Sequence, residues 1–166
     1  MSEGLLIVRL VAGLLMAAHG SQKLFGWFGG YGLAGTGGFL EGLGFRPGQL
    51  FATAAALSEL AGGLLIALGL LGPVGPALVL AVMIVAAVSV HWRHGLFATS
   101  NGIELPLLYG TLAVGLTLSG PGAYSLDALF GLTRFWTPEL SWVALLIGIV
   151  GGAANLAARR PVPVEA

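Results

Sequence analysis

Cysteine is absent from this sequence of 166 residues. Its absence excludes disulfides, thiol redox chemistry, iron–sulfur ligation and cysteine-based metal sites. Charge is also scarce, because only 8% of the residues are Asp, Glu, Lys or Arg, against roughly 25% in an ordinary soluble domain. The formal net charge is zero, so nothing indicates nucleic acid as a partner. The chain is 57% hydrophobic, which is more apolar material than a soluble fold of this size could keep from water.

Five apolar runs have about the length that a bilayer-spanning helix needs, roughly 17 to 25 residues. They cover approximately residues 4–26, 50–71, 76–91, 103–119 and 139–158. The glycine-rich segment 27–49 is predicted to be a connecting loop; it lacks the Lys-Ser/Thr ending and the preceding strand of a phosphate-binding loop. The sequence therefore predicts one all-α membrane domain over residues 1–166, a polytopic transmembrane helix bundle.

The basic residues of the connections predict an orientation. With five spans, the first and third connections and the C-terminus share one side, which carries Lys23, Arg46, Arg93, Arg159 and Arg160. The other side carries Arg134, if the embedded Arg9 is set aside. The bias predicts a cytoplasmic C-terminus and an external N-terminus. The first run lacks a basic n-region and carries an arginine within it, so we expect a retained helix, not a signal peptide.

Four titratable side chains stand inside these apolar runs: Arg9, His19, Lys23 and Glu59. A charge at such a place costs about 2.5 to 3.5 kcal/mol on insertion scales, so it is expected to have a partner or a function. Glu59 lies on a face of small residues and at a similar depth to His19, so a contact with His19 or Lys23 is reasonable. Glu104, at the start of the fourth span, is either a second carboxylate near the histidines or a capping partner of Asn101. After the fourth span, Ser125 can cap a short surface helix that contains Asp127.

Three interpretations of these side chains stay open. Arg9 and Glu59 can form a buried ion pair that only fixes the helix register. The group can instead bind a ligand or exchange protons, as intramembrane ionisable residues commonly do. A metal site of His19, Glu59, His91 and Glu104 has suitable ligand types, but no HxxxH or ExxH spacing supports it, so no metal is predicted.

Several motifs, in this order, resemble the DoxX family of small bacterial integral membrane proteins. They are Arg9 with Gly13, His19-Gly20-x-x-Lys23-Leu24, Glu59-Leu60-Ala61-Gly62-Gly63 with Gly69-Leu70, Glu104, and Gly120-Pro121-Gly122-x-x-Ser125-Leu126-Asp127. The resemblance implies a four-helix bundle in the bacterial cytoplasmic (inner) membrane. It also implies a link to oxidoreductase complexes, because relatives include a membrane subunit of a thiosulfate:quinone oxidoreductase. The fifth run departs from that four-helix core and places the two termini on opposite sides.

Our first functional hypothesis is a redox-associated membrane subunit that binds a quinone between the first, second and fourth spans. The predicted polar cluster is Arg9, His19, Lys23, Glu59 and Glu104. No haem, flavin or iron–sulfur motif is evident, so whether the chain is itself an enzyme stays open and electrons would come from a soluble or membrane oxidoreductase partner. The alternatives are a non-catalytic scaffold or assembly protein and a small-solute or proton pathway. The lipid bilayer is an expected partner, and a homo-oligomer stays open.

Overall fold

The fold is a bundle of helices, seen in a computed structural model that describes residues 2–160. Five longer helices run side by side, and two short ones lie in their connections. The long helices are α1 (Ser2–Phe25), α3 (Gly48–Leu68), α4 (Val74–Ala86), α5 (Glu104–Ser119) and α7 (Pro138–Ala157), and the short ones are α2 (Gly32–Gly42) and α6 (Leu126–Leu129). No strand occurs in the described residues, so the predicted all-α bundle is confirmed.

Small residues let α1 and α3 pack backbone against backbone. A Cβ added to Gly13 would lie 2.5 Å from the backbone nitrogen of Ala67. At the other end of the contact, a Cβ on Gly20 would collide with the backbone of Leu60. Moving an apolar side chain from lipid into a contact between helices gains little free energy. Membrane helices therefore associate through such close packing of small residues. The two helices therefore run antiparallel at a short separation, which brings their polar side chains within reach of each other.

The remaining long helices pack on this pair through α4. The α3–α4 hairpin closes where Gly62 and Gly75 face each other. Helix α7 then lies parallel to α4, because Gly148 contacts Ala77 while Gly152 contacts the backbone of Ala81. The shared core is formed by Met16, Ile66, Val79, Leu80, Met83, Ala113, Leu116 and Leu145.

All five long helices cross the same layer. The end of α5 and the start of α6 lie beside the N-terminal part of α1 and the C-terminal end of α3, as Arg9 contacts Pro121 and Gly69 there. The end of α7 lies at the other face, where Arg160 donates a hydrogen bond to Gly44. The two ends of the described chain are therefore at opposite faces of the bundle, as an odd number of crossings requires.

The predicted boundaries need two corrections. The segment 27–49, expected to be a loop, contains α2 despite its poor helix propensity. Packing against the start of α3 stabilises this helix, because Gly37 contacts Gln49 and the Glu41 side chain accepts a hydrogen bond from Gly48. The third span, expected at 76–91, begins at Val74, and its α-helical part ends at Ala86 before a π-helical turn (Ala87–His91) and a 3₁₀ turn (Trp92–His94).

Candidate polar and ligand-binding site

The structure divides the predicted polar cluster between the two ends of the bundle. Lys23 and Glu59 meet at one end, and Arg9 lies at the other. His19 stands on the side of α1 that faces α5, where its ring makes an edge-to-face contact with Tyr109 at 6.1 Å between centroids. The buried Arg9–Glu59 pair considered above is therefore wrong, and each of the two charges has other partners.

Lys23 forms an ion pair with Glu59. Lys23 lies in the last turn of α1 and Glu59 in the middle of α3, and the close packing at Gly20 brings both to one level. The Glu59 side chain is 3% exposed, whereas the Lys23 side chain is 31% exposed. The carboxylate is thus enclosed by the bundle, while part of the lysine reaches an open surface. The expected contact between Glu59 and either His19 or Lys23 is made by Lys23.

A short hydrogen-bonded chain lies next to this pair. His19 Nδ1 is 3.2 Å from Gln22 Oε1, and Gln22 Nε2 donates to the carbonyl of Phe28 at 3.2 Å. Gln22 Oε1 can only accept, so the donor in this contact is His19 Nδ1–H. This series of hydrogen bonds holds the side-chain amide of Gln22 beside Lys23.

The exposed part of Lys23 lines a groove of about 610 Å³ between the end of α1 and α2. Its walls are Gln22, Lys23, Gly29, Gly30, Tyr31, Gly35, Thr36 and Phe39. Most of this lining is apolar, and the polar groups are few and close together. We call it the Lys23 groove. Its volume and character are those of small-molecule sites, which measure about 300–1,000 Å³ and carry a small number of placed polar groups.

Arg9 is 3% exposed and sits among backbone carbonyls at the opposite end. Its Nη1 donates to Pro121 O and its Nη2 donates to Tyr124 O. The opposite charge that acts on it is Asp127. A Cβ on Gly69 would overlap this guanidinium, so the end of α3 must be a glycine for Arg9 to fit. We call this group, with the α3–α4 turn that it touches, the Arg9 cluster.

Asp127 is the residue of this cluster that the sequence reasoning missed. It was expected on a short surface helix, but it is 0% exposed. Its Oδ1 accepts from Leu71 N at 2.9 Å and its Oδ2 accepts from Gly72 N at 2.6 Å, so it closes the α3–α4 turn. Ser125 does cap α6, as predicted, by accepting from Ala128 N. The signal that could have shown the burial of Asp127 was the position of this acidic residue in a segment that matches the family motif.

Glu104 belongs to neither charged group. Its carboxylate accepts a hydrogen bond from Ala98 N at 2.7 Å, which closes the loop before α5. Asn101 does not cap the helix, since it adopts a left-handed conformation (φ 63°) and its carbonyl accepts from His91 Nδ1. The predicted capping box is therefore not formed. The carboxylate of Glu104 closes the loop before α5 and is not directed at the histidines. Residues 2–160 also contain no group of three His, Cys, Asp or Glu side chains able to hold a metal ion.

The family assignment follows from comparison with known proteins. A model of the DoxX family matches residues 4–92, more than half of the chain. The chain belongs to the DoxX family. The match covers α1 to α4 and so includes Arg9, Lys23 and Glu59, whereas Asp127 and α7 lie beyond it. Searches of curated proteins and of solved structures give no significant match.

This DoxX protein is a multi-pass membrane protein. Four helical segments are long and apolar enough to cross a bilayer, namely Ser2–Phe25, Gly48–Leu68, Val74–His94 and Pro138–Ala157. Helix α5, with 16 residues, is about 24 Å long and is shorter than each of these four segments. Large apolar side chains cover the outer surface, for example Ile7 on α1 and Ile147 on α7, which are 61% and 64% exposed. Such a surface matches lipid.

Proposed function

We propose that this DoxX protein binds a quinone in the Lys23 groove and serves as the membrane subunit of a quinone-linked oxidoreductase. The observation that carries the proposal is the position of one ammonium group. Lys23 Nζ is held by the enclosed carboxylate of Glu59, and the Lys23 side chain also lines a groove of about 610 Å³. An intramembrane charge that is both paired and accessible to a ligand is a candidate binding group.

The groove residues fit a quinone. A quinone has an apolar ring and tail with two carbonyl oxygens, so it needs an apolar slot with one or two hydrogen-bond donors. Tyr31 and Phe39 supply aromatic surface for the ring. Lys23 has three N–H donors, and Glu59 occupies one of them, so donors remain for a carbonyl oxygen. The hydroxyl of Thr36 is a second polar group in the wall. The proposed site lies between α1 and α2, whereas the sequence predicted a site between the first, second and fourth spans.

Each polar side chain has a distinct role in this proposal. Glu59 balances the charge of Lys23 and fixes the direction of its ammonium group. Lys23 Nζ binds and orients the carbonyl oxygen and holds a proton close to it. His19 keeps Gln22 in place through the contact between His19 Nδ1 and Gln22 Oε1. A bound quinone would supply the acceptor for electrons, and these come from an oxidoreductase partner.

The geometry favours ligand binding over a proton or solute pathway. The two charged groups are separated along α1 by its tightest contact with α3, at Gly13 and Gly63. Met16, at the same level, is 1% exposed. A conducting path would need polar groups or water through this layer, and the described side chains there are apolar and closely packed.

Quinone binding can be measured directly. The protein is placed in lipid nanodiscs that contain no quinone, and decyl-ubiquinone is added while tryptophan fluorescence is recorded. Trp27 lies next to the groove residues, so we expect saturable quenching that is smaller in a Trp27→Phe variant. Replacing both partners, Lys23→Gln with Glu59→Gln, keeps a hydrogen-bonded pair but removes the charged donor. We expect about ten- to a hundredfold weaker binding, since a hydrogen bond to a charged group contributes about 1.5–3 kcal/mol.

A matched control separates the groove from nonspecific partition into lipid. Phe130→Ala removes an exposed aromatic side chain at the opposite end of the bundle, and its binding curve should coincide with that of the wild type. Equal affinity in the wild type and in the Lys23→Gln/Glu59→Gln variant, both folded, would refute the site. Mass spectrometry of lipids extracted from the purified protein gives an independent test, because the proposal expects a co-purified quinone.

A further inference from the structure

The end of α7 is tied to the turn between α2 and α3. Arg160 N donates to Gly44 O at 2.8 Å, and Arg159 Nε donates to the carbonyl of Leu43. The Arg159 guanidinium also lies over the ring of Phe45, 5.9 Å from its centroid. Two basic side chains from the end of α7 are thereby placed beside a turn that is far away in sequence.

A third basic residue, Arg46, belongs to the same turn. The side chains of Arg46, Arg159 and Arg160 are all exposed, and within residues 2–160 none of them forms an ion pair. Arg159 donates one N–H to a backbone carbonyl, and no carboxylate among the described residues 2–160 accepts from the other N–H groups of the three guanidinium groups. Three positive charges thus stand together at one face of the bundle, at the ends of membrane-crossing helices.

An apolar crevice of about 90 Å³ is lined by Phe45, the residue that precedes Arg46 and that Arg159 contacts. Its lining includes Phe45, Phe51, Ala81, Val82, Val85 and Asn155. Phe45 belongs to both features, since one face of its ring meets Arg159 and the side chain also lines the crevice. The Asn155 amide donates to Gly151 O, and its oxygen and second N–H remain for another partner. The crevice therefore joins a cationic entrance to an apolar interior through one ring.

We propose that this site binds an anionic phospholipid. The phosphate would lie against Arg46, Arg159 and Arg160, and the first part of an acyl chain would enter the crevice, with the glycerol and ester groups near Asn155. Guanidinium groups bind phosphate oxygens through paired, charge-assisted hydrogen bonds. A soluble phosphate would use the arginines alone, whereas the adjoining apolar crevice is complementary to a phosphate that carries a chain. The site is separate from the Lys23 groove and does not depend on the proposed quinone.

The test measures lipid retention by native mass spectrometry of the full chain. The protein is purified in detergent, given equal amounts of phosphatidylglycerol and phosphatidylcholine, and then partly delipidated. We expect phosphatidylglycerol to be retained. The variant Arg46→Gln/Arg160→Gln removes two charges on exposed side chains that form no hydrogen bond or ion pair within residues 2–160. Its fold should therefore be kept, and its retention should fall by about tenfold or more. Arg159 is left in place because its side chain holds the turn.

Matched variants make the result specific. Arg93→Gln removes an exposed arginine from the same face of the bundle but outside this site, and it should retain phosphatidylglycerol like the wild type. Ala54→Phe narrows the open side of the crevice and should lower retention, whereas Ala153→Phe, on an exposed position of α7, should not. Retention that is equal in the Arg46→Gln/Arg160→Gln variant and the wild type overturns the proposal. Equal retention of phosphatidylcholine, or complete displacement by soluble glycerol phosphate, also overturns it.

Discussion

Arg9 and Lys23 lie near opposite ends of α1, and each is paired with charge or carbonyl groups from other segments, but the surroundings differ. Arg9 is 3% exposed, and its two terminal nitrogens donate to two backbone carbonyl groups. Lys23 is partly open, with one carboxylate partner and a groove of about 610 Å³ on its free side. The Arg9 end is closed around its charge, whereas the Lys23 end presents its charge to a ligand.

The difference shows that the burial of a charge in a membrane span does not by itself indicate a ligand site. At the Arg9 end the polar atoms satisfy the backbone of the α3–α4 turn and of the segment before α6. At the Lys23 end the side chain is 31% exposed and also lines an open groove. The access of a charged group to a groove therefore separates a structural role from a binding role. The following four experiments test this separation, in order of decreasing expected effect on the free energy of unfolding.

Arg9→Met should have the largest effect. It removes the donors to the carbonyl groups of Pro121 and Tyr124 and leaves both acceptors without this partner. An unsatisfied buried acceptor costs about 1–3 kcal/mol, so we expect a loss of about 2–6 kcal/mol for the two, which can be measured by reversible unfolding in detergent. Decyl-ubiquinone affinity of the folded fraction should stay at the wild-type value. Arg134→Met, an exposed arginine at the same end, should change stability by less than about 0.5 kcal/mol. A loss below 1 kcal/mol for Arg9→Met, taken as an order-of-magnitude limit, would contradict the structural role.

Alanine at either glycine of the α1–α3 contact should have the next largest effect. Gly13→Ala and Gly20→Ala both force backbone atoms apart, and overpacking of this kind costs about 1–3 kcal/mol. The two variants should differ in ligand affinity, because Gly20 lies beside the Lys23 end and Gly13 toward the Arg9 end. We expect weaker decyl-ubiquinone binding for Gly20→Ala alone. Equal affinity for both variants would mean that the spacing of the helices does not position Lys23.

Neutralising each charged group in full should distinguish the two ends. The variant Lys23→Gln/Glu59→Gln keeps a hydrogen-bonded pair, and we expect a loss of about 1 kcal/mol, the contribution of one typical hydrogen bond. Arg9→Gln/Asp127→Asn cannot reproduce two carbonyl contacts and two backbone N–H contacts, so its loss should be several times larger. Unfolding curves for both pairs under one condition give the comparison. Similar losses of unfolding free energy in the two double variants would contradict the distinction between the Arg9 end and the Lys23 end.

Tyr31→Ala should have the smallest effect on stability. The side chain is 86% exposed, so the free energy of unfolding should change by less than about 0.5 kcal/mol. Aromatic stacking contributes about 0.5–1.5 kcal/mol, so decyl-ubiquinone affinity should fall by about two- to tenfold. The fluorescence titration described above measures it, with Phe130→Ala as the matched aromatic control. Unchanged affinity would place the ring of the ligand elsewhere.

Much of the fold could be predicted because hydropathy and helix period are local properties. Runs of about 20 apolar residues gave the spans, and the small-residue face of α3 correctly placed Glu59 toward α1. The depth of Glu59, counted along the helix, allowed its contact with Lys23. These features depend on the regular geometry of the helix, so the spacing of residues along a single sequence is enough to predict them.

The rest depends on irregular segments. Segment 27–49 was expected to be a loop because its glycines disfavour helix, yet packing against the start of α3 makes part of it α2, a wall of the Lys23 groove. The partners of Arg9 are carbonyl groups of the segment between α5 and α6, and no periodicity brings residues 9 and 121 together. Asp127 follows a helix cap, where an acidic residue is usual on a surface. Its burial results from the left-handed turn at Leu71 and Gly72, which is not visible in the hydropathy pattern.

The carboxylate that closes the α3–α4 turn also sets an order of assembly. The amide groups of Leu71 and Gly72 have entered the bundle long before residue 127 is synthesised, so the first hairpins insert with this turn still open. Only when α5 has crossed and α6 has folded back does the turn acquire its acceptor. A nascent chain halted before that point should remain sensitive to protease at the α3–α4 turn, and one released after it should be protected.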